Sequence, residues 1–169
     1  MPSELEGFSD TMSQMPGPLE TTHGYSPPTV TQFSVFLTNK VGKLFDLVEA
    51  FDHRCQICAL SVHEASDHAV VRIVTNSAST AREILKREAL PYSEREVLVV
   101  EMTKGKTLSS LCLSLLSAEL SIHFAYPLMH QGGDATIALA VDDLTLGGQI
   151  LRRKEFKLLG EADLPGLPE

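Results

Sequence analysis

The chain has 169 residues, 43% of them hydrophobic, with Lys and Arg totalling 14 against 22 Asp and Glu. That is enough apolar material for one ordinary domain or two small ones, and it excludes wholesale disorder. The charge of −8 is unevenly placed: Glu4, Glu6, Asp10 and Glu20 in the first 29 residues and Glu161, Asp163 and Glu169 at the end face no Lys or Arg nearby, which leaves 15 acids against 14 bases between. A nearly neutral body gives no electrostatic case for nucleic acid, and the acidic ends are expected to serve solubility. Three cysteines, an odd number, and no basic-then-apolar leader point to reduced thiols in the cytoplasm. No apolar run approaches the ~20 residues a membrane-spanning helix needs, because Leu108–Leu116 is broken by Ser109, Ser110 and Ser114.

Residues 1–29, rich in Ser, Thr, Pro and Gly, read as a flexible leader. Val30–Thr38 is strand-like, and Asn39-Lys40-Val41-Gly42-Lys43-Leu44 turns it into a helix whose apolar positions Leu44, Phe45, Leu47, Val48 and Phe51 are expected to form one buried face ending near His53. Cys55–Glu64 and His68–Thr75 read as paired strands around the turn Ala65-Ser66-Asp67. Asn76-Ser77-Ala78-Ser79-Thr80 offers caps for a helix with Ala81, Ile84, Leu85 and Ala89 on one face, closed by Pro91.

From Glu96–Met102 the order repeats: a turn Thr103-Lys104-Gly105-Lys106-Thr107, an apolar helix Leu108–Leu116, a strand Leu120–Met129, a turn at Gly132-Gly133-Asp134 and a strand Ala135–Val141. Asp142-Asp143 caps a helix Leu144–Arg153, and Phe156–Leu159 is the last strand. Leu44 matches Leu108 at an offset of 64, Ile57 matches Ile122 at 65, and Val71-Arg72-Ile73 and Ile84-Leu85 match Ile137-Ala138-Leu139 and Ile150-Leu151 at 66. Each half reads β-α-β-β-α-β, so the fold class is α+β, two ferredoxin-like units in tandem over 30–96 and 97–163 with a tail at 164–169. A unit of this size leaves one sheet face bare, and pairing the halves, then two chains, would cover it.

The glycine at the first strand-to-helix changeover lets backbone amides approach another molecule, and a helix N-terminus offers unpaired N–H donors suited to a carboxylate. With the repeat, this chain resembles tandem ACT-domain proteins, carried by Phe33-Ser34-Val35-Phe36-Leu37, Asn39–Leu44 and Ile57-Cys58-Ala59-Leu60-Ser61 in the first half, and in outline by Val99-Val100-Glu101, Leu108–Leu116 and Ile122-His123-Phe124-Ala125-Tyr126 in the second. The resemblance implies a regulatory module that binds a small effector, commonly an amino acid, at the glycine turn against the second strand of a neighbouring module. It places Asn39, Val41, Gly42, Lys43, Leu44, Leu60 and Ser61 at one such site and Lys104, Gly105, Lys106, Thr107, Leu108 and Tyr126 at a weaker second one. Val41 stands where the family often has proline, and Lys106 aligns with Gly42 while the glycine is displaced to Gly105.

The resemblance further implies a non-catalytic homodimer that responds by population shift. A second reading is a regulatory subunit of a partner enzyme, such as the small subunit of acetohydroxyacid synthase, with the leader as docking segment. A third is a small enzyme or metal protein using Cys55, Cys58 and the histidines. Against it, Cys55 and Cys58 open a predicted strand, where residues three apart point to opposite faces, and no second cysteine pair completes a zinc site. Arg152-Arg153-Lys154 complements a helix dipole, and no catalytic residue, metal ligand set, cofactor motif or phosphate loop stands out.

Overall fold

The structure, a computed structural model, describes residues 24–129 and 133–167. The first half runs β1 (Val30–Thr38), α1 (Lys43–Phe51), β2 (Ile57–Glu64), β3 (His68–Thr75) and α2 (Ala78–Arg87). The second runs α3 (Leu108–Leu116), β5 (Ile122–Pro127), β6 (Thr136–Val141), α4 (Leu144–Arg153) and β7 (Lys157–Leu159), then a 3-10 turn at Glu161–Asp163. Between them lies β4 (Tyr92–Glu101), which belongs to both. Its Tyr92–Val97 part pairs antiparallel with β1, and its Val99–Glu101 part pairs with β6 on one edge and β7 on the other. The result is one seven-stranded sheet, β2-β3-β1-β4-β6-β5, with β7 also against β4.

The strand expected at Glu96–Met102 therefore begins earlier, at Tyr92, and crosses the 96/97 boundary without a break. Charges at Glu94 and Arg95 hide its start. Glu94 is there because Arg82 of α2 reaches it through two hydrogen bonds of 2.6 and 2.9 Å.

Three apolar clusters follow from this topology. One lies under α1 and α2, around Phe33, Leu47, Phe51, Ile73, Ile84 and Leu85. Another lies under α3 and α4, around Leu98, Leu111, Leu115, Leu139 and Leu151. The third joins the opposite faces of the two halves: Val30, Val74 and Val97 meet Tyr126, Ala138 and Ala140. The bare face of each half is thus covered by the other. The sheet curls until its outer strands approach, and the Met129 amide donates to the Cys58 carbonyl at 2.7 Å.

The four helix ends carry the repeat in a form the sequence does not announce. His53, Ala89, Glu119 and Glu155, none of them glycine, hold φ between 51° and 59°. They fall into two pairs, each 66 residues apart. Bonds from Leu90 to Leu85, Leu120 to Leu115 and Phe156 to Leu151 close three of these ends, the long-range bond of a Schellman ending. Ala89 is consequently outside α2 and exposed, not on its buried face.

Other expectations are corrected as well. Of the five apolar positions of α1 only Leu47 and Phe51 are buried; Leu44, Phe45 and Val48 face outward. Apolar residues at 44, 45, 47, 48 and 51 cover more of the helix circumference than one sheet can. The leader and tail are partly built into the fold: Pro27 is buried, the Thr29 hydroxyl donates to Glu96 at 2.6 Å, and Leu164 joins the cluster between the sheet halves. Glu161 does more than solubilise. It accepts from the Ala78 amide at 2.6 Å, placing a carboxylate on the positive end of α2 and tying the second half to the first. Residues 1–23, and with them Glu4, Glu6, Asp10 and Glu20, and part of the Gly132-Gly133-Asp134 turn lie outside the described residues.

Candidate functional site

The first turn is built by two short backbone bonds, Lys40 to Thr38 at 2.8 Å and Lys43 to Lys40 at 3.2 Å. They force φ of +89° on Gly42, which is also the N-cap of α1. No side chain caps this helix, and a Cβ added at Gly42 would meet nothing within 4 Å. The Lys43 amide is thus taken by the Lys40 carbonyl, while no hydrogen bond is made by the next two amides, of Leu44 and Phe45, among the described residues. Val41 is fully exposed beside them, and with Phe45 and Val48 it forms an apolar stripe at spacings of four and three. Lys43 pairs with Asp46 at 3.0 Å across the surface, a contact of little energy. It lines a cleft of about 470 Å³ together with Leu37, Asp46, Leu47, Glu49 and Ala50.

Asn39 donates to Glu64 at the far end of β2, at 3.1 Å. Leu60 and Ser61 lie four and three residues back along that strand, about 10–14 Å away at the rise of a strand. They also point to opposite faces: Leu60 packs with the core under α1 and α2, while Ser61 sits across from Arg72 on the other face. Within one chain the glycine turn and Leu60–Ser61 are not brought together. A site made of both requires the second strand of a neighbouring molecule.

The second turn repeats the first bond for bond: Thr103 to Glu101 at 3.0 Å and Lys106 to Thr103 at 2.9 Å. In this geometry Gly105, at φ +86°, is the counterpart of Gly42. Alignment through the helices at the Leu44–Leu108 offset pairs Lys106 with Gly42 instead; one extra residue between the turn and Leu108 accounts for the difference. The residues entering α3 also close the turn. Thr107 Oγ1 accepts from the Ser110 amide at 3.1 Å and Ser110 Oγ accepts from the Thr107 amide at 2.9 Å, a reciprocal cap. Lys106 swings away to the end of α4, where its ammonium donates to the Lys154 carbonyl at 2.6 Å and lies 4.9 Å from the Phe156 ring. Lys104 and Leu108 are exposed.

Tyr126, on β5, is far from that turn in the topology. It is buried between the sheet halves, and its hydroxyl donates to Gln32 Oε1 at 2.6 Å. Burial pushes its phenol well above the ordinary range, only partly offset by Arg72. The neighbourhood includes residues that sequence reasoning missed. The Arg72 and Arg95 guanidinia lie 4.3 and 5.4 Å from the Phe124 ring, which stacks on Tyr126. Among the described residues neither has a carboxylate partner. The one hint was a charge inside the apolar strand His68–Thr75.

The cysteine pair divides between two cores, but not by strand alternation: β2 begins at Ile57, so Cys55 precedes the strand it was expected to open. Cys55 belongs to the core under α1 and α2, and Cys58 to the core between the sheet halves. Burial raises both thiols, Cys58 to about 11, with Cys55 adding a smaller push. Such thiols are poor nucleophiles and poor metal ligands near neutral pH. Among the described residues no group of three or more His, Cys, Asp or Glu could hold a metal, and no helix is long and apolar enough to cross a membrane.

Among curated proteins none matches this sequence. Among solved structures, protein BT0572 from Bacteroides thetaiotaomicron is similar at 21% identity and a TM-score of 0.71, over 81% of this chain and 96% of that one. The ligand-free regulatory subunit of aspartate kinase from Thermus thermophilus aligns at 10% identity and a TM-score of 0.49, over 76% of this chain and 93% of that one. The family model described as an ACT domain pair matches residues 28–166, nearly the whole described fold. The chain belongs to the family of ACT domain pairs.

Proposed function

We propose that this chain is a non-catalytic regulatory protein of the cytoplasm that binds a small effector, an amino acid, at the Gly42 turn. The turn of one chain meets the second strand of a neighbouring one, with Leu60 and Ser61 on that partner and Asn39, Val41, Lys43 and Leu44 around the turn. The observation that carries this is the contrast between the two turns: α1 starts at an uncapped glycine in open space, whereas α3 starts at a reciprocal Thr107–Ser110 cap. Amides of the first kind are available to a ligand carboxylate. The second turn, where the Thr107 and Ser110 amides are already taken, is assigned a structural part. Calorimetry of the full chain against the common amino acids tests the reading. One of them binds, and Gly42→Val, which strains φ +89° and covers the amides, abolishes that binding while the chain stays folded by circular dichroism. Absence of binding by every amino acid, or equal binding by the variant, refutes it.

A second reading is that the regulated object is a partner enzyme. The outward stripe of Val41, Phe45 and Val48, matched on α3 by exposed Leu113 and Leu116, favours it. Capture of one stoichiometric enzyme, lost on charging that stripe, decides for this reading over free effector sensing.

A further inference from the structure

Helix α4 carries two consecutive glycines, and the second makes room for the chain's own beginning. A Cβ at Gly148 would come within 2.3 Å of Pro27 Cβ and 2.9 Å of its Cγ. Pro27 therefore lies flat on the helix backbone and holds Tyr25 over the next turn, with the Arg152 guanidinium 5.5 Å from the Tyr25 ring. Two cavities flank this pair. One, of about 310 Å³, is lined by Tyr25, Gln149, Arg152 and Arg153. The other, of about 290 Å³, is lined by Tyr25, Pro28, Arg152, Phe156 and Leu158.

Gln149 is 6% exposed, and its amide nitrogen has no hydrogen-bond partner. A buried donor left so costs about 1–3 kcal/mol, and native folds rarely tolerate it without an acceptor nearby. Arg152 and Arg153 have no carboxylate within reach among the described residues. They are not occupied in closing α4 either. The carbonyls of Ile150, Leu151 and Arg152 accept from backbone amides, and that of Lys154 accepts from Lys106. Arg152, Arg153 and Gln149 thus line one pocket together with the Tyr25 ring, the Gln149 amide nitrogen lying sealed just beneath its surface. Both guanidinia are donors only, so the component that complements them is an acceptor with negative charge.

We propose that this pocket binds a small organic anion whose oxyanion group, a carboxylate or a phosphate, is held by Arg152 and Arg153 over the Gln149 side chain, with Tyr25 against its body. The site is separate from the Gly42 turn and independent of it. It makes the segment 24–28 part of a binding wall, since without Pro27 on Gly148 the tyrosine has nothing to hold it there.

The experiment is a titration of the full chain, in a buffer free of other multivalent anions, with inorganic phosphate in one arm and succinate in the other. The readout is the Gln149 side-chain amide in nitrogen–proton correlation spectra, assigned through its loss in Gln149→Met. Saturable shift of that resonance by one probe supports the site and names its chemistry. The double change Arg152→Ala, Arg153→Ala alters exposed residues only, and it weakens binding at least about tenfold with the fold intact. Gly148→Ala, which displaces Pro27, weakens it too. A Gln149 resonance that neither probe moves, or that moves alike in the double variant, overturns the proposal.

Discussion

Tyr126→Phe is the sharpest probe of how the two modules are joined. It deletes one oxygen from a hydroxyl that donates to Gln32 Oε1 at 2.6 Å, and it leaves that carbonyl, on a residue 1% exposed, without its donor. The other end of the Gln32 amide already donates to Ser34 Oγ at 3.2 Å, so the amide cannot flip to compensate. Stranding a buried acceptor costs about 1–3 kcal/mol, and urea denaturation at pH 8 should show a loss in that range at unchanged slope. Because the penalty comes from the stranded carbonyl, Tyr126→Phe with Gln32→Leu should be more stable than Tyr126→Phe alone. A pH series adds an independent check. Burial raises the phenol pKa above its unfolded value, so above pH 10 the unfolded state binds fewer protons than the native one and stability falls as pH rises. The fall approaches about 1.4 kcal/mol per pH unit from this one group. Cys58, also raised, contributes a fall of the same sign beginning lower, from about its ordinary value of 9.0, in wild type and variant alike. The gap between the two proteins is therefore constant to pH 9 and narrows above 10. A gap below about 0.5 kcal/mol at pH 8, or one unchanged up to pH 11, would refute a buried, bonded phenol.

Three further outcomes are expected. Ala89→Gly relieves an alanine held at φ +51° at the end of α2; it should raise the urea midpoint, by up to about 1 kcal/mol of stability, since left-handed backbone costs an L-residue more than the added freedom of glycine when unfolded. A colorimetric thiol reagent at pH 8 should react at once with a single group, Cys112, and with Cys55 and Cys58 only on unfolding, because these two are buried and raised; three fast thiols would contradict their placement. Phe45→Ser should leave stability within about 0.5 kcal/mol, because the ring is 67% exposed, while weakening self-association measured by sedimentation.

How much of this was legible depends on distance along the chain. The duplication could be read because turns absorb the drift from 64 to 66 while the strands and helices keep their apolar spacing. The sharing of β4 could not. Tyr92-Ser93-Glu94-Arg95 has none of the apolar alternation of a strand, and it is extended because β1 and Arg82 claim it. The left-handed backbone at the helix endings was silent because four non-glycine residues adopt the conformation that glycine usually marks. The Gly42 turn was visible from its glycine, but the closure of the second turn was not. A reciprocal cap begun by Thr107 is ordinarily sought through Glu or Gln at the third helical position, and Ser110 stands there instead. Arg72, Arg95 and Phe124, like Tyr25, Gln149 and Arg152, meet only after folding has brought distant segments together.

The shared strand also decides where a regulatory movement could occur. A ligand shifts an equilibrium only by its difference in affinity for two arrangements, so the two must lie within a few kcal/mol of each other. Inside one chain, moving the modules apart would break the ladder of β4 with β1, part the core around Val97 and Val99, and strand both Gln32 and Glu161. Each fully buried valine alone is worth about 1.5–3 kcal/mol, so that rearrangement is far outside the reach of a small effector. The contact between chains is different. It would use Val41, Phe45 and Val48, which the folded monomer leaves outside, and it would bring the Gly42 amides beside the strand that carries Leu60 and Ser61. A ligand seated there touches both partners and loses half its contacts when they part. On this argument the two-state element of the proposed sensor is association itself. Saturating effector should then shift the sedimentation of the wild-type chain toward the larger species, and leave Phe45→Ser monomeric at concentrations where the wild type pairs.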